Sequence, residues 1–167
     1  MLEFARVHRT FPPMNPSGEN QSYPRRKLLS HKTPHWVRES EAIFFITVCC
    51  AKRGDNQLAT PAVAAALIDS VRHRNETTAW WCSAFVVMPD HIHGLIQFSH
   101  PMEQTMRNWK AWTAKEHGIS WQPRWFDHRL RNDENWHKKA EYLFNNPLRA
   151  GLVREGDDWP WTFFCER

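Results

Sequence analysis

The sequence predicts an α+β domain, an antiparallel sheet with helices packed on one face. Three observations predict it. Three apolar runs rich in β-branched and aromatic residues have the length and composition of strands. The second and third are separated by little more than Met88-Pro89-Asp90, the order of a hairpin. Three segments of helical composition, each with a start or stop residue, are interspersed with them, and one layer of helices is the simplest cover for such a sheet.

The first run, Ala42 to Ala51, is too short and too β-branched for a long helix and reads as a buried strand. Thr60 is placed to cap a helix and Pro61 suits its first turn, with helical composition continuing to about His73. A strand from Trp80 to Met88 is broken at Pro89, and its hairpin partner runs from about His91 to Phe98. A second helix is expected over Met102 to His117, followed by a basic, aromatic link from Trp121 to Arg131. The third helix begins near Asp133, a suitable N-cap, and ends at Asn146 because Pro147 follows. Trp159-Pro-Trp161 reads as an aromatic flap against the body.

Residues 1–30 read as a flexible N-terminal arm. Pro12, Pro13, Pro16 and Pro24 deny it regular structure, and Arg25, Arg26 and Lys27 close it with a basic cluster, either a solvated tail or an arm that touches phosphates. Residues 31–167 are then a single domain, which suits a chain of 167 residues that is 41% hydrophobic. The net charge of +4 is compatible with a nucleic-acid partner without requiring one. Cys49, Cys50, Cys82 and Cys165 form no C-x-x-C pair and read as reduced thiols. No run approaches the roughly 18 apolar residues of a membrane span, and no compact apolar leader opens the chain, so a cytoplasmic protein is expected.

Two short patterns carry chemistry. In Asp90-His91-Ile92-His93, strand alternation turns both imidazoles to one face and Ile92 to the other. Such a pair can share a metal ion or can simply be exposed, and the pattern alone leaves both open. In Tyr142-Leu-Phe-Asn-Asn146, Tyr142 and Asn146 are helical neighbours four apart. Tyr142 lies about 100° from Leu143, beside the apolar stripe of Trp136, Ala140 and Leu143. A phenol there can reach into a cleft or pack at the helix edge. With only Tyr23 and Tyr142 in the chain, Tyr142 is the candidate if a tyrosine does chemistry.

Together the segments have a family likeness. Phe85-Val-Val-Met-Pro-Asp-His-Ile-His-Gly-Leu-Ile96 resembles the histidine–hydrophobe–histidine strand of HUH single-strand DNA transposases. Tyr142-Leu-Phe-Asn-Asn-Pro-Leu-Arg-Ala-Gly-Leu-Val153 resembles the catalytic helix of one branch, the REP-associated tyrosine transposases. Asn108-Trp-Lys-Ala-Trp-Thr-Ala-Lys115, Trp125-Phe-Asp-His-Arg-Leu-Arg131 and Asp158-Trp-Pro-Trp161 are similar to that branch as well. The likeness runs from about Arg26 to Trp161.

The resemblance implies a ferredoxin-like antiparallel sheet with helices. It implies Tyr142 as the catalytic nucleophile and His91, His93 and Asn146 as metal ligands. Mg²⁺ or Mn²⁺ would be the cofactor, although imidazoles also suit Zn²⁺. The implied partner is single-stranded DNA carrying repeat hairpins, cut and rejoined through a 5′-phosphotyrosine by a monomer or homodimer. A domesticated or non-catalytic hairpin-binding protein is the alternative. Phosphate contacts are expected from Arg25, Arg26, Lys110, Lys115, Arg124, Arg129 and Arg131, and base stacking from Trp109 or Trp112. Lys138, one turn before Tyr142, is a candidate cation for the phenolate.

Overall fold

A computed structural model describes residues 38–131 and 133–166. The arm at residues 1–30, with Tyr23, Arg25, Arg26 and Lys27, lies outside the described residues. The elements run β1 (Ile43–Cys49), α1 (Pro61–Glu76), β2 (Trp80–Val87), β3 (His91–Phe98), α2 (Met102–His117), β4 (Phe126–Arg129), α3 (Asp133–Phe144), α4 (Asn146–Arg149) and β5 (Thr162–Phe164).

The five strands form one antiparallel sheet in the order β4-β1-β3-β2-β5. Its first four strands, with α1 and α2 as crossovers, have the ferredoxin-like connectivity, and β5 extends the β2 edge. The expected α+β class and antiparallel sheet are therefore present. One detail changes: helices lie on both faces, because both faces of the central strands are apolar. Phe44, Ile46 and Val48 point to one side and pack with Leu67, Ile68 and Val71 of α1 and Met102, Met106 and Trp109 of α2. Phe45, Ala84, Val86 and Leu95 point to the other, under Ala140 and Leu143 of α3. Alternation along each strand thus builds two cores from one sheet.

Local chemistry sets the boundaries. Thr60 occupies the N-cap of α1 with extended backbone, but its side chain makes no capping bond, and Pro61 opens the helix. In its last turn, Asn75 donates to the Cys82 carbonyl (2.9 Å) and accepts from the Cys82 amide (2.8 Å), clipping α1 to the irregularity between Cys82 and Ala84 in β2. α2 stops at Gly118, whose φ of 66° is the left-handed conformation in which glycine commonly ends helices. At the β2–β3 turn the Met88 amide donates to the His91 carbonyl (2.8 Å).

Three expectations shift. The basic link contains β4, and the aromatic flap at Trp159–Trp161 leads directly into β5. α3 ends at Phe144 and the chain re-enters a short helix at Asn146-Pro147, since proline without an N–H suits a first turn.

Candidate active site

The register of β1 and β3 sets the site. Thr47 pairs with His93 and Cys49 with His91, so Thr47 and both imidazoles share the α3 face. The two imidazole centroids are 4.8 Å apart, nearly perpendicular. α3 crosses above them. With Ala140 and Leu143 turned into the core, Tyr142 hangs at the helix flank, 38% exposed. Its ring lies 6.1 Å from that of His93 and 5.9 Å from that of Phe45, which itself stacks on His93 at 5.3 Å.

Each imidazole is held at Nδ1. His91 Nδ1 donates to the Asp90 carboxylate (2.6 Å), which can only accept when ionised. Asp90 also accepts from the Gly54 amide (2.7 Å) and lies 3.0 Å from Arg53 Nε. Burial pushes the Asp90 carboxyl up, but these donors together outweigh it and hold it below the usual carboxylate range. His93 Nδ1 hydrogen-bonds to the Thr47 hydroxyl (2.8 Å). Burial lowers the His93 pKa to about 3, with smaller contributions from His91 and Arg53. Burial likewise lowers that of His91 against the opposing pull of Asp90. Both rings are therefore neutral at pH 7, and with His91 protonated at Nδ1 its Nε2 carries a free lone pair.

This donor set fits a divalent cation: adjacent neutral imidazoles, one oriented by a carboxylate and one by a hydroxyl, are what metal-binding histidines require of their surroundings. Among the described residues no cluster of three or more His, Cys, Asp or Glu adds to the pair. Asn146 begins α4, and its amide nitrogen lies 3.5 Å from the Tyr142 carbonyl.

Two cations flank the phenol. Lys139 Nζ lies 5.0 Å from the Phe45 ring centre and 5.9 Å from that of Tyr142, and the Arg149 guanidinium lies 5.0 Å from the Tyr142 ring. Neither was singled out from the sequence. Lys139 was legible, being three residues before Tyr142 on one helix, whereas Arg149 arrives only because the chain turns into α4. Lys138 is exposed on α3. Thr47 and Arg53 carry no local signal, since they meet the histidines through sheet pairing and a loop.

The expected DNA contacts divide. Trp109 is fully buried, and its indole donates to Ser70 (3.0 Å), so it is a core residue and offers no face to a base. Lys110 is also buried, its ammonium donating to the Gln122 and Pro123 carbonyls (2.7 and 2.9 Å), so it is engaged in structure. Both assignments are corrected: positions on the sheet-facing side of α2 cannot reach a ligand. Trp112 is 41% exposed. Lys115 is exposed on α2, on the sheet face opposite the histidines, with Glu116 3.8 Å away. Arg124 and Arg131 are exposed and Arg129 is half-buried, all around β4.

No family model matches the chain. It is 29% identical over 87 residues to a REP-associated tyrosine transposase of Escherichia coli (strain K12), a match covering 49% of this chain and 53% of that protein. It is 29% identical over 101 residues to a candidate member of the same family from Haemophilus influenzae, covering 48% and 57% respectively. The chain thus spans about half the length of these curated relatives. Its fold is similar to a solved REP-associated tyrosine transposase bound to a REP hairpin, with a TM-score of 0.65 at 23% identity, covering 80% of this chain and 82% of the other. The resemblance read from the motifs is borne out, and the described residues contain no helix long and apolar enough to cross a membrane.

Proposed function

We propose, from the premise that this chain is a relative of the REP-associated tyrosine transposases, that it cuts and rejoins single-stranded DNA beside repeat hairpins with Tyr142 as covalent nucleophile. The observation that carries this reading is the convergence of one exposed phenol, from α3, with two oriented neutral imidazoles, from β3, at 6.1 Å between the Tyr142 and His93 rings. A metal site without a nucleophile would suit hydrolysis by water; a phenol at the lip of such a site suits covalent transfer.

His91 and His93 would hold the cation through Nε2, with Asn146 as the additional ligand and Mg²⁺ or Mn²⁺ as the ion. When bound, that ion supplies Lewis-acid polarisation of a non-bridging phosphate oxygen. The Tyr142 oxygen attacks phosphorus and loses its proton. The bond from phosphorus to the 3′ oxygen breaks, and that oxygen leaves as a 3′-OH after taking up a proton. The product is a 5′-phosphotyrosine. A second 3′-OH reverses the step on the same phosphorus, and because one phosphodiester is exchanged for another, no nucleotide triphosphate is required. Lys139 and Arg149, beside the phenol, offset the charge of the approaching phosphodiester.

The test is a denaturing gel with a labelled hairpin taken from repeats beside the gene, in Mn²⁺ or Mg²⁺. The wild-type protein gives a covalent protein–DNA band. Tyr142→Phe binds the hairpin and gives neither band nor cut, and His91→Ala or EDTA abolishes both. Cutting without any covalent band points to water as nucleophile and overturns the tyrosine assignment. Binding without cutting by the wild-type protein leaves a hairpin-binding module.

A further inference from the structure

The segment Trp125 to Arg131 was expected to supply only arginines. As β4 it also presents an aromatic surface. Phe126 pairs with Thr47 across the β1–β4 ladder, and Thr47 pairs with His93 across the β1–β3 ladder. Paired residues point to one face of a sheet, so Phe126, Thr47 and His93 form a single cross-strand row on the α3 face. Parity agrees: Leu130, four residues on, packs in the core beneath α3, while Trp125 packs on the opposite side. Two strand spacings put Phe126 roughly 10 Å from His93.

Phe126 is 42% exposed on an edge strand. Several cations lie around it. His128, one step along the same face, pairs with Phe45; burial is the main cause that lowers its pKa, the positive charges of Lys139, Arg131 and Arg129 add to the shift, and Asp127 opposes it. Lys139 is itself the cation over Phe45 and Tyr142, and Arg149 lies beyond the phenol. An exposed aromatic ring at the margin of a positive zone that leads to a nucleophile matches an unpaired nucleotide, which offers a flat π-face and a phosphate together. A neutral peptide or an acyl chain alone would leave the cations unmatched, and a free phosphate would leave the ring unmatched.

We propose that Phe126 is a base-stacking platform for the single-stranded DNA that enters the Tyr142 site, with Lys139 and Arg131 contacting the adjoining phosphates. The site binds one unpaired nucleotide next to the phosphate that is attacked. This deepens the reading of the preceding section and rests on it for the identity of the strand.

Affinity for oligodeoxythymidylate of 12 nucleotides is measured by fluorescence anisotropy in a Tyr142→Phe background, without divalent metal. Phe126→Ala weakens binding by about tenfold with the salt dependence unchanged, because stacking releases no counterions. Phe126→Trp restores binding. Phe126→Leu, which keeps apolar bulk but has no π-face, behaves like Phe126→Ala. Lys139→Gln lowers the salt slope by about one. Thermal melting of each variant checks that the fold is intact. Unchanged affinity in Phe126→Ala, full affinity in Phe126→Leu, or no binding by the parent protein overturns the platform. The covalent adduct assay on the wild-type chain separates the two readings. An adduct together with unchanged Phe126→Ala affinity removes the platform alone. Weakened Phe126→Ala binding without any adduct keeps the platform as a strand-binding site and removes the nuclease.

Discussion

Asp90 is the residue on which the orientation of His91 turns. Its carboxylate receives the Gly54 amide, the Arg53 guanidinium and His91 Nδ1. The first two fix the carboxylate and the third uses it to fix the ring. Outer partners of this type tune metal affinity by about 10- to 100-fold. Asp90→Asn, which can satisfy Gly54 or His91 but loses the charge, therefore weakens Mn²⁺ binding within that range, as read by titration calorimetry or by the electron paramagnetic resonance of free Mn²⁺. An unchanged affinity would show that His91 needs no orienting carboxylate. At this scale the sequence was informative about the histidines and Tyr142, whose spacing is local. It was silent on Thr47 and Arg53, which reach the site from β1 and from the loop after it.

At the scale of elements, α2 shows how composition misleads about partners. Its Trp and Lys residues resemble a nucleic-acid surface in a linear reading, yet the helix must cover the sheet, and Trp109 and Lys110 are on the side that does so. Trp109 contacts Trp80, Phe85 and Trp121 at ring distances of 5.7–6.3 Å. Trp109→Ala should cost about 3–5 kcal/mol of stability, measured by urea unfolding, with any loss of DNA binding following from unfolding alone. A variant as stable as the wild type would contradict the core assignment. The strands β4 and β5 escaped the sequence for a related reason. Each is three or four residues long, without sustained apolar alternation, and is a strand because β1 or β2 offers it a free edge.

At the scale of the molecule, one sheet separates two jobs. The α1–α2 face holds the larger core, and the α3 face holds the smaller core and the candidate site. Burial of the histidines there has a consequence for stability. An unfolded histidine titrates near 6.5, whereas His93 in the fold titrates at about 3, chiefly because it is buried, and His91 is lowered in the same direction. Between these values the unfolded chain holds more protons than the folded one, so stability rises with pH across that window. In metal-free buffer, the urea midpoint should be level above about pH 7 and fall as the pH drops from 6.5 towards 3. The slope should be shallower in His93→Gln. Equal slopes would mean that His93 is protonated as readily in the fold as in the unfolded chain.

By itself the sequence determined the α+β class, the hairpin bearing His91 and His93, the bounds of α2, and the identity of the candidate nucleophile. Each of these follows from periodicity, from short-range spacing, or from motifs that survive as linear strings. Only the tertiary structure decided that α3 lies on the histidine face, that Lys139 and Arg149 flank the phenol, that Trp109 and Lys110 are structural, and that Phe126 shares a row with His93. These are matters of strand register and helix placement. A residue's own neighbours along the chain do not specify them, because which side of a sheet a helix covers is settled by all the apolar faces that must be buried at once.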